Sequence, residues 1–177
     1  MVGDGGYIRS PLMNVVLEIS TMAIMWTAAI LGNSLVCVVI HRSRRLQSTT
    51  NYFVVSLASS DMCFAIISIP FVLVESMSDK WVFGVAMCKI VRFVQWLVPF
   101  TTVAVLSSIC VDRFYTIIYP LSFKVTRDGA KRMILGAWVV GLILSCPTLY
   151  FYDISTIDGV QHCKKFTGIV YFILSLS

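Results

Sequence analysis

Residues 88–113 read CKIVRFVQWLVPFTTVAVLSSICVDR, with a thiol at one end, an Asp-Arg pair at the other and no charge from residue 93 to residue 111. Cys88 and Arg113 stand 25 positions apart, or roughly 38 Å of α-helix at 1.5 Å per residue. That matches the ~30 Å hydrocarbon core of a bilayer plus part of its headgroup layers. The segment therefore reads as one long helix running from one aqueous boundary to the other.

Three more runs of similar length flank it. Residues 19–40 and 133–152 carry no charge, and residues 52–74 carry only Asp61. Over the whole chain 58% of residues are hydrophobic and 13% charged, where a soluble domain is about 25% charged. A soluble protein would need four such buried helices in one domain. In lipid each segment must satisfy its own backbone polar groups, so helices are the expected form. The predicted fold is all-α, a multi-span transmembrane helix bundle with spans near residues 15–40, 50–74, 86–118 and 131–152 and a fifth begun at 166–177. Residues 1–14, polar and glycine-containing, read as a disordered tail. They lack the basic and apolar regions of a cleavable signal, so the first span is expected to direct insertion itself.

Charge gives an orientation. Arg42, Arg44, Arg45, Arg113, Lys124, Arg127, Lys131 and Arg132 fall on one side, eight of the fourteen basic residues. The modest excess places that side in the cytoplasm and the N-terminus outside. Cys37, Cys63, Cys110 and Cys146 fall inside spans as small apolar residues. Cys88 and Cys163 lie outside the hydrocarbon, on the external, oxidising face where a disulfide persists. A bridge would tie the top of span three to the loop after span four; the alternative is two unpaired thiols.

Asp61 sits near the middle of span two, where a carboxylate costs on the order of 3 kcal/mol unless it faces protein. Asn33 and Thr102 are its plausible partners. It reads either as a cation or proton site or as a hydrogen-bond hub. Asp112-Arg113 reads alone as two charges snorkelling to the interface. Pro70, Pro99 and Pro147 each remove a helix hydrogen bond, and mark kinks beside a cavity or simple packing.

Several motifs then occur in order: Gly32-Asn33; Leu57-Ala58-Ser59-Ser60-Asp61; Trp81-Val82-Phe83-Gly84 before Cys88; Asp112-Arg113-Phe114; Tyr119-Pro120-Leu121; Trp138; and Cys163. This set resembles the first five-helix portion of rhodopsin-like G-protein-coupled receptors, over nearly the whole chain after residue 15. The run Val111-Asp112-Arg113-Phe114-Tyr115 through Tyr119-Pro120-Leu121-Ser122-Phe123-Lys124-Val125 is similar to an orphan group related to peptide receptors. Phe114 stands where the family usually has tyrosine, so that hydroxyl's hydrogen bond is absent.

The resemblance implies a plasma-membrane receptor that passes an extracellular signal to a heterotrimeric G protein. Arg113 would be a switch, paired with Asp112 at rest and turned toward the G protein when active. Leu121, after Pro120, would insert into an apolar pocket of Gα. Asp61 would hold a sodium ion with Thr102 as hydroxyl ligand, and no other cofactor is implied. The Cys88–Cys163 bridge would shape the loop over the ligand pocket. Gln95 lies 18 positions before Arg113, roughly 27 Å higher on the helix, at the depth where this family contacts ligands. Amine receptors have an aspartate there; neutral Gln95 offers no ion pair, so a peptide is the expected ligand class. Trp96, Phe71 and Tyr150 are candidate aromatic walls, or packing residues. Membrane lipids and a receptor dimer are further expected partners.

Ser177 falls about 12 residues into span five, too few to cross. The chain is thus read as an N-terminal fragment, from an incomplete gene model or as a short form that modulates full-length receptors, and is not expected to signal alone. A transporter or channel subunit would show inverted repeats and a line of intramembrane charges; neither is found. Enzyme motifs such as a nucleophile elbow, a metal-spaced His-Glu pair or a phosphate-binding glycine loop are not present. His41 and His162 fall on opposite faces. The basic loops suit anionic lipid headgroups and a G protein rather than nucleic acid.

Overall fold

The computed structural model describes residues 11–43, 48–119, 126–157 and 159–165. Among them four helical units are long and apolar enough to cross a membrane. The first is α1, Pro11–Arg42; the second is α2, Thr49–Ile67, continued by α3, Ile69–Ser78. The third is α4, Gly84–Ile118, and the fourth is α5, Arg127–Ser145, continued by the single turn α6, Thr148–Phe151. A two-stranded antiparallel hairpin follows, β1 (Tyr152–Ile157) and β2 (Val160–Lys165).

The polar residues within these spans satisfy themselves locally. The hydroxyls of Ser20, Thr21, Ser59, Ser107 and Ser108 each donate to the carbonyl oxygen one turn back, at 2.7–2.9 Å. No hydroxyl of that set is left facing lipid unpaired, where it would cost several kcal/mol. Apolar side chains complete the outer faces: Ile24, Leu31 and Ile117 are about 70% exposed, as lipid-facing residues are.

Two of the three prolines divide helices. Pro70 stands in the first turn of α3, where its missing N–H costs little. At the junction the Ser68 amide still donates to the Phe64 carbonyl at 2.8 Å. The buried Ser68 hydroxyl reaches the Val91 carbonyl at 3.5 Å, fastening the bend to α4. Pro147 likewise separates α5 from α6. Pro99 lies inside α4, which runs on through it.

Helix α4 is the axis of the bundle, packing on α2, α5, α6 and β1, while α1 packs on α2 and α3. Toward the Arg113 end the core is Phe53, Val105, Ala130 and Ala137. Toward the Cys88 end it is Trp81, Cys88, Val91 and Cys163, with Phe71 and Phe83 against them. Indole N–H groups tie the helices across this packing. Trp26 donates to the Ala65 carbonyl at 2.9 Å and Trp138 to the Ser56 hydroxyl at 3.1 Å. Between α4 and α5 the backbones come close at Gly141, where a Cβ would touch the nitrogen and Cα of Thr101 at 3.2 and 3.3 Å and overlap its hydroxyl.

Two helix boundaries differ from the sequence reading. The tail assigned to residues 1–14 is helical from Pro11, and residues 1–10 lie outside the described residues. The fourth span starts at Arg127, not 131, because Thr126 caps it by accepting the Gly129 amide at 3.1 Å. The architecture is otherwise the predicted helical bundle, and the loop after span four contains the hairpin. The fifth span, 166–177, lies outside the described residues.

Candidate functional site

At the Arg113 end, Asp112 is buried at 2% exposure on the face of α4 turned into the bundle. A buried carboxylate without a partner is strongly destabilising, and the next residue supplies one. Arg113 donates from Nη2 and Nε to Asp112 Oδ2 at 2.8 and 3.1 Å. Its Nη2 also donates to the hydroxyl of Thr50 on α2, so the pair bridges two helices. The Asp112 side chain is 3% exposed but that of Arg113 is 48% exposed. One partner is fixed in protein while the other can be drawn away by a new acceptor. Phe114 is exposed and meets Tyr115 edge-on at 5.6 Å. Pro120 and Leu121 lie outside the described residues.

In mid-span, Asp61 is half-buried on α2. The structure does not bring Asn33 or Thr102 into hydrogen-bond contact with it. The Asn33 amide instead donates to the Ala29 carbonyl on its own helix at 2.9 Å, a local bond that competes with tertiary pairing. Among the described residues no cluster of three His, Cys, Asp or Glu gathers to hold a metal. The carboxylate makes no ion pair among those residues either.

At the Cys88 end the expected disulfide is present: Cys88 and Cys163 are bonded, with Cα atoms 5.7 Å apart. It pins strand β2 to the first turns of α4. The Trp81 amide donates to the Gln161 carbonyl at 2.7 Å, holding the loop before α4 to the same strand.

Beneath the bridge lies a constellation that sequence reasoning missed. Arg92 Nη2 donates to Glu75 Oε2 at 2.9 Å and Oε1 at 3.3 Å, and to the Cys163 carbonyl at 3.2 Å. Its Nη1 donates to Gln95 Oε1 at 3.0 Å, and the guanidinium stands 5.9 Å from the centroid of the Tyr152 ring. One side chain thus joins α3, α4 and both strands. The signal available was only that Glu75 and Arg92 each sit near the Cys88-side end of a span, with Arg92 one turn before Gln95. Gln95 is therefore part of a charged cluster, with its carbonyl engaged.

The other candidate pocket residues separate. Trp96 is 44% exposed, stacks on Phe100 at 5.9 Å and points its indole N–H at the Tyr152 hydroxyl, 3.5 Å away. It shares the Gln95 and Tyr152 neighbourhood. Phe71 instead packs edge-on against Phe83 at 4.8 Å in the disulfide cluster. Tyr150 is 74% exposed, touching Phe151.

The profile described as 7 transmembrane receptor (rhodopsin family) matches residues 32–174. The protein named probable G-protein coupled receptor 19 of Rattus norvegicus is 51% identical over 153 residues, covering 84% of this chain and 36% of the relative. The human protein of the same name is 54% identical over 143 residues, covering 81% of this chain and 34% of the relative. A QRFP-like peptide receptor of Branchiostoma floridae is 34% identical over 145 residues, covering 81% of this chain and 38% of that protein. The chain spans little more than a third of the length of these relatives.

Proposed function

Because the chain belongs to the rhodopsin family of seven-transmembrane receptors, a family of multi-pass membrane proteins, we propose that it forms the ligand-facing and switch-bearing part of a G-protein-coupled receptor. The observation that carries this is a single continuous helix, α4, with the bridged hairpin and Arg92 at one end and the Asp112–Arg113 pair at the other. A rigid element that touches both aqueous boundaries can couple an event at one to an event at the other.

In this reading the Cys88 end faces outward at the plasma membrane and the Arg113 end faces the cytoplasm. The external ligand is a peptide. Support comes from the neutral Gln95 in place of a carboxylate, and from a relative whose name describes a peptide receptor. The wide surface of hairpin, Trp96 and Tyr152 suits an extended ligand better than a small amine. Activation breaks the Arg113 contacts to Asp112 and Thr50 and frees the guanidinium for the G protein. Asp61 supplies the charged ligand of a resting-state sodium ion, with Thr102 adding a hydroxyl.

The test is a chimera in which residues 32–174 replace the matching stretch of the rat relative, reconstituted with each class of Gα. Basal nucleotide exchange is expected, and Arg113→Ala abolishes it. Exchange that is absent with every Gα despite correct surface delivery, or unchanged by Arg113→Ala, overturns the proposal.

A further inference from the structure

None of the ten residues of α3 is buried, whereas α2, which leads into it, buries Phe53, Ser56, Ala58, Ser60 and Ala65. The two are divided at Ser68, because Pro70 has no amide hydrogen to donate to the carbonyl four positions back. Just before the division α2 is fixed, its Ala65 carbonyl accepting the Trp26 indole N–H at 2.9 Å. At its far end α3 stops at Asp79, whose φ of 50° lies in the left-handed region. The chain is fixed again at Trp81, 1% exposed. Helix α3 is thus a strap between two pivots.

The strap is held differently along its length. Near Ser68, Phe71 and Val72 lean on the disulfide cluster. Beyond them polar contacts join it to its neighbours. The Ser76 hydroxyl donates to Glu18 of α1 at 3.2 Å, and Glu75 accepts from Arg92 of α4. The second contact is strong in charge and poor in shape. A carboxylate binds a guanidinium best across two parallel N–H groups on different nitrogens. Here both Glu75 oxygens lie on Nη2, at 2.9 and 3.3 Å, and the neighbouring Nε is buried with no partner among the described residues. Each side chain is 20% exposed, so water can reach both ions as they part.

Opening this pair has unequal consequences. Arg92 keeps the Gln95 oxygen and the Cys163 carbonyl, and the hairpin keeps its disulfide to α4. Glu75 has no second cation among the described residues. We propose that the Glu75–Arg92 pair is a latch whose opening frees residues 73–78 of α3 to move between Ser68 and Asp79, while the hairpin and Gln95 stay in place. The Cys88 end of the bundle is then a fixed part, α4 with the hairpin, and a releasable part, α3. The proposal holds with or without the receptor reading, since the latch needs neither ligand nor G protein.

Hydrogen–deuterium exchange of the 177-residue chain in phosphatidylcholine nanodiscs tests this, with residues 73–78, β2 and α2 followed as separate peptides by mass spectrometry. Glu75→Gln keeps the size of the side chain and removes its charge. Exchange at 73–78 is expected to quicken about tenfold, the factor for loss of one charge-assisted contact, with β2 and α2 unchanged. Arg92→Gln quickens exchange at both 73–78 and β2. Glu75→Arg combined with Arg92→Glu returns 73–78 to within about threefold of the parent but leaves β2 fast, because a carboxylate cannot donate to the Cys163 carbonyl. Helix content and the Cys88–Cys163 bridge serve as folding controls for every variant. Parent-like protection at 73–78 in a folded Glu75→Gln protein overturns the latch. So does equal quickening of β2 in that variant, or a charge-swapped protein no slower at 73–78 than Glu75→Gln, which would mean that packing rather than charge holds α3.

Discussion

Replacing Gly141 by alanine places a methyl group where α5 presses its backbone on α4. The new Cβ would stand 3.2 Å from the Thr101 nitrogen and 3.3 Å from its Cα, and would overlap the Thr101 hydroxyl. The hydroxyl can move only between the few χ1 wells a helical threonine allows. The backbone atoms cannot move without shifting α4 itself, which also carries the disulfide and Arg113. Overpacking of this kind costs about 1–3 kcal/mol, and contact with two backbone atoms argues for the upper half, about 2–3 kcal/mol. Thr101→Ala offers a partial rescue. Its hydroxyl is fully buried with no hydrogen-bond partner among the described residues, so deletion removes a desolvation cost of about 1–3 kcal/mol. Loss of the Thr methyl offsets about 1 kcal/mol of that gain. In the Thr101→Ala background the overlap with Oγ1 is gone and only the two backbone contacts remain, so Gly141→Ala should cost about half as much. The coupling in a double-mutant cycle should be about 1 kcal/mol. Unfolding of the purified chain in detergent, followed by tryptophan fluorescence with Trp138 on α5 as a nearby reporter, measures all four corners. Single-mutant costs that add within about 0.3 kcal/mol, or a Gly141→Ala protein as stable as the parent, would refute the assigned contact.

Two further perturbations probe the Cys88 end. Cys88→Ser opens a loop of 75 positions, which on chain entropy alone is worth about 4 kcal/mol; the same unfolding measurement under non-reducing conditions should show most of that loss, and none between parent and mutant after full reduction. Arg92→Lys keeps the charge but offers one compact ammonium where Glu75, Gln95 and the Cys163 carbonyl now share a planar fork. It should therefore lose about 2 kcal/mol and speed amide exchange in β2, and unchanged protection there would show that Arg92 does not hold the hairpin.

The uneven visibility of these features in the sequence has a physical cause. A bilayer forbids charge over about 20 residues, so the spans are written as local composition and can be read without tertiary information. The disulfide is nearly as visible, because Cys88 and Cys163 stand out once the hydrocarbon is assigned. Boundaries are less so. Hydropathy marks where lipid ends, whereas helix ends follow hydrogen bonds, and the Thr126 cap carries α5 through Arg127, Lys131 and Arg132 into the headgroup layer. The hairpin had one local mark, the Asp-Gly pair at 158–159, a dipeptide suited to tight turns; Gly159 does adopt φ +79°. The Arg92 cluster had none. Its partners outside α4 are 17 and 71 positions away, and a lone charge near a span end looks the same whether it snorkels to water or joins three elements. Asn33 shows the converse. Its polarity and depth suggested a tertiary role with Asp61, and its amide donates to the Ala29 carbonyl one turn back. Arg92, whose acceptors other than Gln95 lie outside α4, joins the disulfide in fastening the hairpin to the Cys88 end of the bundle.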